Sequence, residues 1–369
     1  MTSYEEKLKL LRDVVAMKPV DKIPVSINGP AFTARSQGVE IGDFVHDYDL
    51  AVKTDIALFE ELQTADFIQT PIMNPDILST QWLSPVAIPG EDLPNDEIWQ
   101  VMEQKTVEQE DYEIILKDGF TAFYNKILNE RLDNINAKVQ PFIEYNPKAD
   151  AILRQHDILT LNNGPCVVQP FEYFCGGRTL AEFYADDLFE EEELMIEVFD
   201  KTMEELVPMY EAQFAAGPAI GSWVGGWRSA PAMLSPDMWE TFVWPYMKRL
   251  TEVVINAGVI PVFHLDSSWD RAFKYFLELP EHKCILSLDG ASDIKKAREV
   301  LGDHSCLMGD VPAQMLAFGT ADEVTKYVTE IIEACGPETG LIVCSGCDIP
   351  ANAKKENVKA MVDAAANFK

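Results

Sequence analysis

Positive charge is what this chain has least of: 30 lysines and arginines stand against 61 aspartates and glutamates, giving a net charge of -31 at neutral pH. Nucleic acids and anionic membrane surfaces are polyanions, so the balance opposes both and leaves small molecules or other proteins as partners. No apolar run reaches the ~18 residues of a membrane-spanning helix. The start, Met1-Thr2-Ser3-Tyr4-Glu5-Glu6-Lys7, has no basic stretch leading into an apolar one, so a soluble, cytoplasmic protein is expected. The seven cysteines are odd in number and scattered, which excludes a disulfide framework and predicts reduced thiols that mostly fill the core. Repeats, low-complexity tracts and flexible linkers are missing too. Gly225-Gly226 matches neither a Rossmann fingerprint nor a P-loop.

With 369 residues, 47% of them hydrophobic, the chain can bury a large core. Short apolar runs ending in Gly, Pro, Asn or Asp alternate with longer amphipathic segments, the pattern of parallel strands joined by helices. Strands are predicted at 23–27, 67–71, 158–161, 219–223, 260–264, 284–288, 306–308 and 341–344. Helices are predicted at 49–62, 194–215, 236–257, 294–301, 321–335 and 356–368, with apolar residues three and four apart. Eight strand-helix units predict an α/β fold, a (β/α)8 TIM barrel, as one domain over 1–369. Residues 76–118 break the rhythm: apolar patches at 82–88, 98–102 and 112–116 predict an antiparallel β insertion after the second strand, placed as a lid or docking surface. The acidic run 186–193 reads as a solvated helix entry.

In such a barrel the C-terminal ends of the strands converge on one face, so chemistry is sought at strand exits. The fifth exit offers His264 and Asp266, two apart and therefore on one side of the strand. The eighth offers Cys344, within the apolar run, and Cys347, in the following turn and better placed as a ligand. Imidazole, carboxylate and thiolate all suit zinc, and three protein ligands leave a position for substrate. The alternative is that His264 is a satisfied polar residue, Asp266 caps a helix over 269–279 and the thiols pack. Asp289 and Asp310, at the sixth and seventh exits, fit orienting or acid-base roles as well as turns and caps. Trp223, Trp227 and Phe263 could wall a pocket for a flat substrate, and Phe171, Tyr173, Phe174 and Trp269 stand at neighbouring exits; core packing is the other reading. Gly176-Gly177-Arg178 reads as a turn or an anion contact.

The run Pro261-Val262-Phe263-His264, with Leu288-Asp289-Gly290, Gly309-Asp310-Val311-Pro312, Ser345-Gly346-Cys347-Asp348-Ile349-Pro350 and Glu356-Asn357-Val358, resembles the uroporphyrinogen decarboxylase superfamily. The opening Asp21-Lys22-Ile23-Pro24-Val25 resembles it more weakly. Within that superfamily the chain looks closer to the cobalamin-dependent methyltransferases, whose zinc site comprises a His-x-Cys pair and a later Cys. The resemblance puts His264, Asp266 and Cys347 at those positions. Asp266 stands where thiol-methylating members carry cysteine; a harder oxygen ligand leaves a metal more Lewis acidic, which suits an ether better than a thiol. The His264-Leu265-Asp266-Ser267 segment is similar to methoxyaromatic, or veratrol-type, methyltransferases. The resemblance therefore implies zinc, a methoxylated aromatic substrate and a corrinoid (cobalamin). That corrinoid would be carried by a separate protein, since no Asp-x-His-x-x-Gly motif is present. True decarboxylases carry an arginine-rich segment where residues 28–37 here hold only Arg35, which argues against a strongly anionic porphyrinogen. A thiol methyltransferase, a decarboxylase of a less anionic substrate and a non-catalytic docking barrel remain open.

Overall fold

The computed structural model describes residues 2–336 and 340–368. Among them are ten strands: β1 (Ser26–Ile27), β2 (Phe67–Ile68), β3 (Val86–Ala87), β4 (Gln100–Val101), β5 (Leu159–Thr160), β6 (Gly221–Gly226), β7 (Ile260–Leu265), β8 (Ile285–Leu288), β9 (Cys306–Val311) and β10 (Leu341–Ser345). Eight of them are parallel, in a three-stranded sheet ordered β1-β2-β5 and a five-stranded sheet ordered β10-β9-β8-β7-β6. Parallel bridges Val25↔Val343 and Val167↔Val224 link the edges of the two sheets. Val343 N donates to Pro24 O at 2.9 Å and Val167 N to Trp223 O at 2.8 Å. All eight expected strand segments overlap a parallel strand.

The two faces of these strands serve different cores, as a period of two requires. Val262, Ile285, Cys306, Met308, Ile342 and Cys344 join Phe67, Leu159 and Leu161 in an inner cluster, covered by Tyr4, Leu11, Val14 and Val15 of the helix Tyr4–Val15. A capping box starts that helix: Ser3 Oγ accepts from Glu6 N, and the Glu6 carboxylate accepts from Ser3 N at 2.8 Å. The alternate residues, among them Phe263, Leu286, Leu307 and Val343, pack against the surrounding helices in the larger core. No helix among the described residues is long and apolar enough to cross a membrane.

Several expectations are corrected. Residues 112–116 are not a strand but part of the helix Tyr112–Asp118, with Tyr112 and Ile115, three apart, on its buried face. A short apolar run fits either period, and the antiparallel pairing in that segment is limited to β3 with β4. The predicted helix 236–257 divides at Val243 into Pro236–Phe242 and Trp244–Asn256, because Pro245 has no N–H to continue the ladder and restricts the residue before it. The predicted helix 269–279 is only a 3-10 turn, Phe273–Glu278. Gly176-Gly177-Arg178 is not a turn: it ends the helix Pro170–Arg178, and the anion that the buried Arg178 meets is internal, with Nε 2.8 Å from Asp187 Oδ2. Asp187 lies in the acidic run expected to be solvated, yet it is fully buried.

Candidate metal centre at the strand exits

His264 comes from the inner side of β7, and Asp266 follows two residues later, its backbone N still donating to Gly226 O at 3.1 Å. Continued pairing keeps both side chains on one side of the strand. Cys347 arrives from β10 through Gly346, whose N donates to Val311 O at 2.8 Å. A Cβ on residue 346 would stand 2.4 Å from Asp289 O, so only glycine lets this turn press against the β8 exit.

The three donors meet at one nitrogen. His264 Nε2 is 3.1 Å from Asp266 Oδ1 and 3.8 Å from Cys347 Sγ, and the three ligand atoms lie within 4.8 Å of one another. For bonds of roughly 2.0–2.3 Å, the edges of a tetrahedral site are roughly 3.3–3.7 Å, so the two distances from His264 Nε2 lie close to such edges. Burial pushes the His264 imidazole down, but its bonds to Asp266 and Cys347 outweigh this and hold it well above its ordinary value. A proton thus balances two electron-rich donors where a cation would do the same. Nδ1 of His264 is buried without a partner. Cys347 is exposed, whereas Cys344 is buried, accepts from Gln69 Nε2 at 3.0 Å and is pushed up to about 12 by burial, which keeps it a thiol.

The neighbouring carboxylates differ in role. Asp289 accepts from Ser267 N at 2.6 Å and from Ala291 N at 2.8 Å, fixing the loop just after Asp266; burial, then the charge of Asp266, raise its pKa. Asp310 is buried and accepts from Tyr327 Oη at 2.8 Å, a bond to the outer helix Ala321–Cys335. Asp348, which the sequence reading passed over although it follows Cys347, accepts from Asn28 Nδ2 at 2.6 Å and ties the β1 exit to the β10 exit. Burial raises its pKa, with His264 opposing.

Indoles line one flank. The Trp223 ring stands edge-on to His264, centroids 4.9 Å apart. Gly225 is the register partner of His264, and the Trp227 ring fills the space its missing side chain leaves, 2.5 Å from where a Cβ would be. Trp227 meets Trp82 edge-on at 5.2 Å. Glu172, also missed, holds this turn: its fully buried carboxylate accepts from the backbone N of Trp227, Arg228 and Ser229, each at 3.1 Å, and from Ser229 Oγ at 2.7 Å. Phe263 is not brought to the site. It lies on the opposite face of β7 from His264, fully buried with its ring 5.0 Å from Phe276. Phe171, Phe174 and Trp269 are fully buried and Tyr173 nearly so, in the same outer core.

A family model described as uroporphyrinogen decarboxylase (URO-D) matches residues 170–368, more than half of the chain, including His264, Asp266 and Cys347 but none of β1 to β5. A uroporphyrinogen decarboxylase of Solibacter usitatus (strain Ellin6076) is 28% identical over 189 residues, 49% of this chain and 51% of that protein. One of Myxococcus xanthus (strain DK1622) is 29% identical over 152 residues, 41% of each. These matches span about half the length of the relatives or less. A solved methyltransferase from Methanosarcina mazei superposes with a TM-score of 0.69 over 99% of this chain and 98% of its own, at 18% identity, a likeness of fold.

Proposed function

The chain belongs to the uroporphyrinogen decarboxylase family, and from that premise we propose that it is a zinc-dependent methyltransferase. It moves a methyl group from a methoxylated aromatic compound to a corrinoid carried by another protein. We read the two bridged sheets as one barrel with its mouth at the strand exits. The observation that carries the proposal is the meeting of imidazole, carboxylate and thiol at His264 Nε2, beside the Trp223 ring.

His264, Asp266 and Cys347 hold the metal, and a bound zinc supplies Lewis acidity toward an ether oxygen. One oxygen and one sulfur donor leave it more acidic than two thiolates would. Trp223 and Trp227 take the two sides of the ring, while Phe263 supports β7 from behind. Asp289 positions the Asp266 loop through Ser267 N. Asp310, held at the β9 exit by Tyr327, is the candidate for an orienting or proton-transfer role there. The decarboxylase alternative takes support from the relatives' names, but residues 28–37 offer it a single cation. Arg35, alone among residues 28–37, is exposed and bonds to Asp96 O.

The test is metal content in the parent and in Asp266→Ala and Cys347→Ala, followed by methyl transfer from methoxyarenes to cob(I)alamin. Near-stoichiometric zinc in the parent, lost in both variants together with ether demethylation, is expected. A folded parent that binds no zinc when supplied with it would sink the proposal.

A further inference from the structure

Arg228 is a base without an acid, in a chain with 61 acidic residues to 30 basic ones. Other shielded guanidinium groups find acceptors: the buried Arg178 pairs with Asp187 at 2.8 Å, the half-buried Arg131 with Asp111 at 2.5 Å, and Arg298, which has no ion pair among the described residues, donates to the carbonyls of Gly302 and Gly340 at 2.6 and 2.7 Å. Arg228 forms no ion pair among the described residues, and its Nη1 is sealed from solvent with no hydrogen-bond partner. The guanidinium lies over Trp82, 5.7 Å from the ring centroid, and Trp82 Nε1 is likewise buried without an acceptor. Both groups can only donate. What the pair lacks is an acceptor, and a guanidinium in a dry setting calls for an anionic one.

The place of this pair gives the acceptor a context. Glu172 fixes the backbone of residues 227–229, and so the root of the Arg228 side chain. Trp82 leans on Trp227, and Trp227 covers Gly225, the neighbour of His264 across the ladder. The two donors therefore stand one indole beyond the His264, Asp266 and Cys347 cluster, on the flank that the indoles line. A single guanidinium fork with one added N–H matches a planar, singly charged carboxylate, and the face of Trp227 suits an aromatic ring.

We propose that Arg228 and Trp82 Nε1 bind the carboxylate of an aromatic acid whose ring lies along Trp227 toward His264. This rests on the methoxyaromatic reading and narrows it to methoxylated aromatic carboxylic acids. The carboxylate enters as the Arg228–Trp82 contact opens and supplies both unmet donors.

The probes are 4-methoxybenzoate and its neutral counterpart 4-methoxytoluene, titrated by tryptophan fluorescence into the zinc-loaded parent, Arg228→Met and Arg228→Lys. Circular dichroism and zinc content verify that each variant is folded. The parent should prefer the benzoate by at least about tenfold, the scale of a charge-assisted hydrogen bond. The ratio should collapse to about one in Arg228→Met and stay intermediate in Arg228→Lys, which keeps the charge without the fork. No preference in the parent, or a preference that survives in Arg228→Met, overturns the carboxylate site. Methyl transfer from both compounds with equal efficiency would also remove this site while the methyltransferase reading stands. Arg228-dependent binding of the benzoate without methyl transfer would keep the site and overturn that reading.

Discussion

At the scale of single residues, Asp310 shows how position changes a carboxylate's meaning. Burial raises it from 3.8 to about 6, against the bond it accepts from Tyr327. The folded protein then holds this proton more tightly than the unfolded chain. The group's contribution to stability is therefore fully present below about pH 4 and is lost as pH rises through about 6. Two pKa units correspond to about 3 kcal/mol. Asp310→Asn still accepts from Tyr327 but has no proton to lose, so its stability relative to the parent should rise by about 3 kcal/mol between pH 4 and pH 7. Urea titrations of both proteins across that range measure it, and a flat difference would refute the raised pKa.

Much of the residue-level picture could be read from sequence, and the failures have identifiable causes. His264 and Asp266 are two apart on a strand, and Cys347 follows a glycine in a turn, so their convergence was legible once eight strands were counted. Phe263 was misplaced although the same rule of two, applied to His264, sends it to the other face. Glu172 and Asp348 were not legible as partners, because each acts on residues distant in sequence: Glu172 on the turn 227–229 and Asp348 on Asn28. Trp82 and Arg228 meet through packing that no local pattern encodes.

At the scale of elements, the turn after β10 is the joint on which the site depends. Gly346 lets it approach the β8 exit, and a methyl group there would sit 2.4 Å from a backbone oxygen that cannot move aside as a side chain would. Gly346→Ala should destabilise the protein by about 1–3 kcal/mol and reduce zinc content by displacing Cys347. Gly217→Ala, with no atom within 4 Å of the added carbon, is the control and should leave both unchanged. Full zinc and full stability in Gly346→Ala would show that the turn is not tightly held.

Elements were legible where one period dominated. The helices Ile294–Leu301 and Ala321–Cys335 match their sequence-based limits, since each carries a side-chain cap, Asp293 and Thr320, and a clean apolar stripe. The helix Ile135–Gln155 was missed because Pro141 and Pro147 lie inside it, and proline usually ends a helix. The segment 112–116 was taken for a strand because its apolar cluster is too short to separate the two periods.

At the scale of the whole molecule, the inner cluster bears on whether the chain is one folding unit. Phe67, Leu159 and Leu161 come from the side of the three-stranded sheet, and Val262, Ile285, Met308 and Ile342 from the five-stranded one. Leu11, fully buried in the helix Tyr4–Val15, packs in the same cluster. Leu11→Ala should therefore weaken both sheets together, by about 2–5 kcal/mol. Denaturation should keep a single transition with an unchanged slope against urea, because the surface exposed on unfolding is the same. Far-ultraviolet circular dichroism reports on every helix, whereas five of the seven tryptophans, from Trp223 to Trp269, report on the region of the five-stranded sheet. Coincident curves from the two probes are expected, since a shared core leaves neither sheet a stable state without the other. Curves that separate in Leu11→Ala, with fluorescence holding while ellipticity falls, would divide the chain into two units and remove the single-domain reading.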